Sequence, residues 1–309
     1  MWSSKVSHFV MQRTFSTSSI LKAGLDLMTL DGKKSPGRQE LCFDILFGIH
    51  PISCAIEAKR RSIETVFYRR DLLNHNVRAK EILERCWAEN VKTQVLPQSK
   101  IDNIAPKGKP NQGLLAKATR LYYIPTPCTQ KFIANSQSEK ESCQSPVWLL
   151  LNEIQDPMNF GSVLRSAYFM GCNKVFVSSH KSCSLTPVVS KASSGVMELM
   201  PVYSVNNPSQ FCQILKESKW DIVGTGSHND ETNEKSLVCS PVGSFFRKNP
   251  TLIILGNEGQ GLPEELVSLC THRLYIEARP NLNKNIDSMN VSAAAAVILH
   301  TILNRSDRS

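Results

Sequence analysis

The chain lacks a CxxC pair, an apolar run of membrane length and, over its first 25 residues, any Asp or Glu. Its ten cysteines are scattered from Cys42 to Cys270, which argues against a thiolate zinc site and against a tightly stapled disulfide scaffold. They read as small core residues and reduced thiols, and no metal is expected. No stretch approaches the roughly 20 apolar residues of a spanning helix, so no membrane insertion is expected. A GxGxxG dinucleotide fingerprint and a P-loop lysine are also missing. The acid-free start holds Lys5, Arg13 and Lys22 amid dense Ser and Thr. That composition is that of a mitochondrial transit peptide, and residues 1–38 are expected to be leader, with "RTFSTSS" the place to look for cleavage.

What is present is a chain of 309 residues, 41% hydrophobic, long enough for two domains. Its 36 Lys and Arg against 27 Asp and Glu leave a formal charge of +9, which favours a polyanionic partner such as nucleic acid. Residues 39–127 alternate strand-like "IETVFY" and "VKTQVL" with the helix-like "NVRAKEILERCWAEN", the pattern of a small α/β sandwich. Residues 128–146 are polar, without sustained apolar period, and read as a linker. From 147 to 305 the βα rhythm is cleaner: "VWLLL", "KVFVSS", "DIVGTG", "TLIIL" and "RLYIEA" as strands, with helices between them. Such alternation implies a mostly parallel sheet covered on both faces, with ligands at the carboxyl ends of its strands.

Three loops there carry polar residues suited to a site. In "NEIQDPMNFGSVLRSAYFMG", Asp156-Pro157 reads as a turn, Asn159 and Gly161 as preceding a helix, and Arg165 as lying in its first two turns. In "LIILGNEGQGL", an apolar strand runs into Gly256, Gly259 and Gly261 with Glu258 among them. In "DSMNVSAAAAVILH", Ser288, Asn290 and Ser292 crowd the start of a helix. Helix capping accounts for any one of these residues, whereas one shared pocket accounts for all three loops. In the first domain, Lys59, Arg60, Arg61, Arg69, Arg70, Lys107, Lys109 and Lys117 are expected to form an RNA face.

"DPMNFGSVLRSAYFMG", "LGNEGQGL" and "DSMNVSAAAAVILH" resemble, in order and spacing, the three motifs of the SpoU/TrmH branch of the SPOUT RNA 2′-O-ribose methyltransferases. "LFGIHPISCAIEAKRRSIETVFYRRD" with "KGKPNQGLLAKAT" resembles the L30e-like substrate-binding domain that precedes that catalytic domain. The resemblance implies an α/β fold with a deep trefoil knot, a homodimer, and S-adenosylmethionine as cofactor. Carried over by position, Asn159, Arg165, Glu258, Ser288 and Asn290 match the family's catalytic positions, and Gly256, Ile276 and Met289 its cofactor contacts. The chain departs from the family pattern where Glu277-Ala278 follow Ile276, where a longer "ARPNLNKNI" leads to the third motif, and where Met289 replaces the usual Leu. With the transit-like leader, the implied function is 2′-O-methylation of a guanosine in large-subunit rRNA of the mitochondrial matrix. The rival readings are a non-catalytic RNA-binding assembly factor and the same chemistry on tRNA.

Overall fold

The computed structural model describes residues 42–127, 132–133, 145–226, 238–257, 259–279 and 288–304. The expected leader, most of the expected linker and Glu258 lie outside the described residues.

Residues 43–119 build a four-stranded mixed sheet in the order β1 (Phe43–Phe47), β4 (Leu114–Thr119), β2 (Ile63–Tyr68), β3 (Lys92–Val95). β4 runs antiparallel to both neighbours, and β2 and β3 pair in parallel. Successive side chains of a strand point to opposite faces. Leu46, Leu114 and Ala116 therefore pack under helices α1 (Ile49–Ala58) and α3 (Val77–Ala88), the latter preceded by the single turn α2 (Leu72–His75). Phe47 and Leu115 meet Ile101 of α4 (Gln98–Ile104) on the other face. Asn76 starts α3 by accepting from the Ala79 amide at 3.0 Å.

The rest of the chain forms an eight-stranded sheet in which every pair is parallel. Its order is β10 (Val238–Pro241), β12 (His272–Tyr275), β9 (Asp221–Thr225), β11 (Thr251–Leu255), β6 (Val147–Leu151), β7 (Lys174–Ser178), β8 (Val202–Val205), β5 (Ile124–Pro125). The central β6 and β11 are buried at every residue. Val147, Leu149, Leu151, Ile253 and Leu255 face α5 (Pro157–Met170), α6 (Pro187–Ala192), α7 (Val196–Leu199) and α10 (Val291–Asn304). Trp148, Leu150, Leu252 and Ile254 face α8 (Pro208–Glu217) and α9 (Glu264–Val267). On that second face Trp148 lies 4.2 Å from Trp220 and 5.0 Å from Phe176, centroid to centroid. Phe132 and Ile133, inside the stretch expected to be a linker, pack into the same cluster.

The strand order is not the order of synthesis. β11 inserts between β6 and the earlier β9, and β12 inserts between β9 and β10. No helix of the described residues is long and apolar enough to cross a membrane. Among the same residues, no group of three His, Cys, Asp or Glu is arranged to hold a metal ion.

Two expectations need correction. First, α5 begins at Pro157, not after Gly161. Asp156 is its cap, accepting from the Asn159 amide at 3.0 Å, and Pro157 occupies the first helical position, where its missing N–H costs nothing. Asp-Pro thus opens the helix instead of a turn. Asn159 lies in the first turn and Arg165 in the third, beyond reach of the positive helix end.

Second, Arg60 and Arg61 do not belong to an open RNA face. Arg61 is buried, its Nε 2.9 Å from Glu198 Oε2 and its Nη1 3.6 Å from Asp44 Oδ2. Glu198 also accepts from Ser190 Oγ at 2.7 Å. The Nη1 of Arg60 donates to the carbonyls of Met197, Glu198 and Met200 at 2.9, 3.2 and 3.0 Å, closing the end of α7. Both arginines tie the first sheet's layer to the second. A run of basic residues does not announce that a buried carboxylate far along the chain will face it.

Gly161 sits in α5 where an added Cβ would run into Ala192, the Ser193 amide and the Val189 carbonyl of α6. Gly161→Ala would by helix propensity gain up to about 1 kcal/mol. Overpacking instead costs about 1–3 kcal/mol, so the urea midpoint is expected to fall; a rise would show that α5 and α6 are not in close contact.

Candidate functional site

Because β6 and β11 are parallel neighbours, with Leu151 opposite Leu255, their carboxyl ends open side by side. The ladder continues one residue further, the Asn152 amide donating to the Leu255 carbonyl at 2.9 Å. Glu153 then turns into the left-handed region with φ 57, a costly conformation for a residue with a Cβ. Its amide donates to Ser178 Oγ at 2.9 Å. Its carbonyl accepts from Asn257 Nδ2, also at 2.9 Å.

Asn257 organises the second loop as well. Its Oδ1 accepts from the amides of Gly259 at 2.9 Å and Gln260 at 3.3 Å, and its backbone pairs reciprocally with Gly261 at 3.1 and 2.9 Å. The result is a pinched turn. At Gly256 the backbone comes so close to the Gly261 carbonyl and the Leu262 amide that no side chain could be accommodated. The organising residue is thus Asn257, next to the expected Glu258. Its signal in the sequence is an Asn directly after a strand-exit glycine and two before another, the residue type that bonds its own backbone two residues on.

The third loop joins the first directly. Asn290 Nδ2 donates to Asn159 Oδ1 at 3.0 Å across 131 residues of sequence. The Oδ1 of the same Asn290 accepts from the Ser292 amide at 2.9 Å and the Ser292 hydroxyl at 2.6 Å, capping α10. Capping and convergence, which the sequence posed as rival explanations, are both performed by the two ends of one amide. Asn159 is relieved of capping its own helix because Asp156 does so. Ser288 and Met289 precede α10 and are exposed. Ile276, just past β12, is half-buried against the core under α5 and α10.

Arg165 stands apart from this group. It lies six residues beyond Asn159, about 9 Å along the helix axis and about 120° around it. Its side chain is exposed, and its charge acts on His50 at the start of α1. Partial burial first, then the charges of Arg78, Lys191 and Arg165, hold the His50 imidazole below its ordinary value. The structure therefore joins Asn159 to Asn290, and separately ties the Asn257 turn to Glu153 at the ends of β6 and β11. It sets Arg165 toward the first sheet's layer.

The chain matches two family models. Residues 146–300 match the SpoU rRNA Methylase family, and residues 45–124 match RNA 2′-O ribose methyltransferase substrate binding. The Homo sapiens protein "rRNA methyltransferase 1, mitochondrial" is 35% identical over 266 residues, covering 85% of this chain and 73% of its own length. The Schizosaccharomyces pombe protein of the same name is 25% identical over 279 residues, covering 84% and 90%. Among solved structures, the SpoU methyltransferase AviRb from Streptomyces viridochromogenes in complex with AdoMet superposes with a TM-score of 0.63 at 21% identity, covering 87% of this chain and 94% of that one. An RNA 2′-O ribose methyltransferase gives 0.62 at 20%, covering 85% and 89%. The structural likenesses establish a shared fold; the model spanning half of the chain and the 35% relative establish descent, and the chain belongs to the SpoU rRNA methylase family.

Proposed function

We propose that the protein is an S-adenosylmethionine-dependent methyltransferase that modifies the ribose 2′-hydroxyl of a guanosine in mitochondrial large-subunit rRNA, acting in the matrix as a homodimer. The observation that carries this reading is the Asn290–Asn159 hydrogen bond, which unites two motifs remote in sequence, while the Asn257–Glu153 bond ties the remaining motif to the loop that leads into α5. The mitochondrial names of the two relatives and the acid-free leader support the compartment. The matched ranges support a substrate-binding domain at 39–127 ahead of a catalytic domain at 147–305, behind a leader at 1–38 and joined by a linker at 128–146, with β5, Phe132 and Ile133 packing onto the second domain. The mixed four-stranded sheet suits an L30e-like first domain, and the late insertion of β11 and β12 suits a trefoil knot in the second. Self-association is supported by apolar side chains left on the outer sides of α5 and α10: Phe169 is 86% exposed, with Tyr168, Met158 and Val297 also in solvent.

The residues present fit the cofactor. At Gly256 the turn offers main chain alone, Ile276 offers an apolar wall, and Met289 offers an exposed thioether chain, edges suited to an adenosine and a methionine tail. When bound, S-adenosylmethionine supplies an electrophilic sulfonium methyl. The protein's task is then to hold a ribose oxygen in line and to accommodate its proton, and positioning of this kind is worth roughly 7–11 kcal/mol in favourable cases. Asn159, Asn290 and Ser288 form the polar rim that orients the ribose. Arg165 is permanently protonated and therefore no base; from its place further along α5 its planar fork grips the phosphate adjoining the ribose. The hydroxyl proton leaves to a phosphate oxygen, to water or to Glu258.

The deciding experiment incubates the protein with labelled S-adenosylmethionine and either large-subunit mitochondrial rRNA or tRNA, then maps ribose methylation. Label on an rRNA guanosine is expected. Binding without transfer would identify an assembly factor, and label on tRNA alone would reassign the substrate. Arg165→Lys keeps the charge but loses the fork, so turnover should fall by about 1.5–3 kcal/mol, on the order of 10- to 100-fold. Turnover unchanged by Glu258→Gln would remove that carboxylate from the proton path. Asn290→Asp retains the cap and loses the donor to Asn159, so melting should stay within about 0.5 kcal/mol of wild type while turnover drops; equal losses of both would mean that Asn290 is only a cap.

A further inference from the structure

Basic side chains from four elements meet where the two layers join. His50 is the second residue of α1, Arg78 the second of α3, Lys191 lies in α6 and Arg165 in α5. The Nη1 of Arg78 is 2.6 Å from His50 Nε2, and Arg78, Lys191 and Arg165 all act electrostatically on that imidazole. Among the described residues, no carboxylate forms an ion pair with any of the four. By contrast Lys59, Lys80, Lys117 and Arg120 elsewhere in the first layer each have one. The first turn of α1, where these groups gather, contains no acidic residue either.

The arrangement is built, not accidental. Lys191 Nζ donates to Gln112 Oε1 at 2.8 Å, and the same oxygen accepts from the Ile49 amide at 3.2 Å. Gln112 is held in the left-handed region with φ 58. Gly48 has φ 92, and a Cβ there would collide with the Lys191 amine. Two unusual backbone conformations thus fix a cation among other cations, an arrangement that costs free energy in the isolated protein and that an anion relieves.

We propose that His50, Arg78 and Lys191 form a preorganised seat for the phosphodiester backbone of the RNA, continuous with Arg165. The seat rests on the RNA-modifying role proposed above and specifies how the substrate crosses from the first layer to the catalytic helix. It differs from the basic run at residues 59–61, two of whose members are consumed in the junction itself.

The test measures affinity of the full-length protein for an in vitro transcript of large-subunit rRNA over a range of salt concentrations. Arg78→Gln and Lys191→Gln are each expected to weaken binding several-fold and to reduce the slope of log affinity against log salt by about 1; Lys216→Gln, on the opposite-face helix α8, should change neither. KM for RNA should rise while kcat at saturating RNA and affinity for S-adenosylmethionine stay at wild-type values. Arg78 is exposed, so Arg78→Glu provides a charge reversal with little risk to folding and should bind more weakly still. The His50 imidazole, followed by NMR, should titrate at higher pH with the transcript bound. Unchanged salt slopes in both glutamine variants overturn the seat even if methylation proceeds. Reduced slopes in a protein that transfers no methyl group uphold the seat and refute the catalytic reading.

Discussion

The adjacency of β6 and β11 in one parallel ladder is the constraint on which the site depends. Apart from Thr251, every side chain of these two strands is apolar, and all are buried. Each large one contributes about 1.5–3 kcal/mol by leaving water. A slip of one residue would exchange the two faces, sending Trp148 toward α5 and Leu149 toward α8, so the register is strongly specified. With Leu151 fixed opposite Leu255, the turns that follow must emerge together. Asn257 then needs one hydrogen bond to Glu153 to bind them, and the left-handed Glu153 is the local cost of aiming its carbonyl that way.

Charge tells a less uniform story. A formal +9 signals a polyanion, yet it treats all cations alike. Arg61 is buried against Glu198 and Asp44, Arg60 caps α7, and Lys59 and Lys117 are engaged with Glu89 and Glu64. The first pair hold the layers together and the second pair are exposed ion pairs of small energetic weight. What distinguishes His50, Arg78 and Lys191 is not basicity but the lack of acidic company around a backbone shaped to keep them close.

Much of the fold was legible because it rests on period and punctuation. "VWLLL" and "TLIIL" read as buried strands, "IETVFY" and "VKTQVL" as strands, and Gly171 as the end of a helix; the structure has β6, β11, β2, β3 and the left-handed cap of α5 at those places. The start of α5 was misread because Asp-Pro is both a turn signal and a cap followed by a first-turn proline, and only the helix that follows decides between them. Strand order was illegible from periodicity, since nothing local in "TLIIL" says that it enters between two strands already placed. The convergence of Asn159 and Asn290 was inferred from loop position and from resemblance; the division of one amide between cap and bridge needed coordinates. The partners of Asn257 and Lys191, Glu153 and Gln112, lie inside quoted stretches but far off in sequence, and nothing local pairs them.

Helix α5 connects these themes. Along one side Asn159 meets α10, and about a turn and a half later Arg165 faces His50 and the first layer. Between them Gly161 lets α5 lie against Val189, Ala192 and Ser193 of the α6 segment, which is the segment that carries Lys191. The missing side chain at Gly161 therefore sets the spacing between the two cations as well as the packing of two helices. A backbone contact this close leaves little room for the helices to slide, because interiors are nearly incompressible at this density. The proposed ribose rim and the Arg165 end of the proposed phosphate seat are in consequence joined through α5, and an RNA strand seated as proposed on Lys191 and Arg165 would have its approach to Asn159 and Asn290 fixed by the packing of α5 against α6.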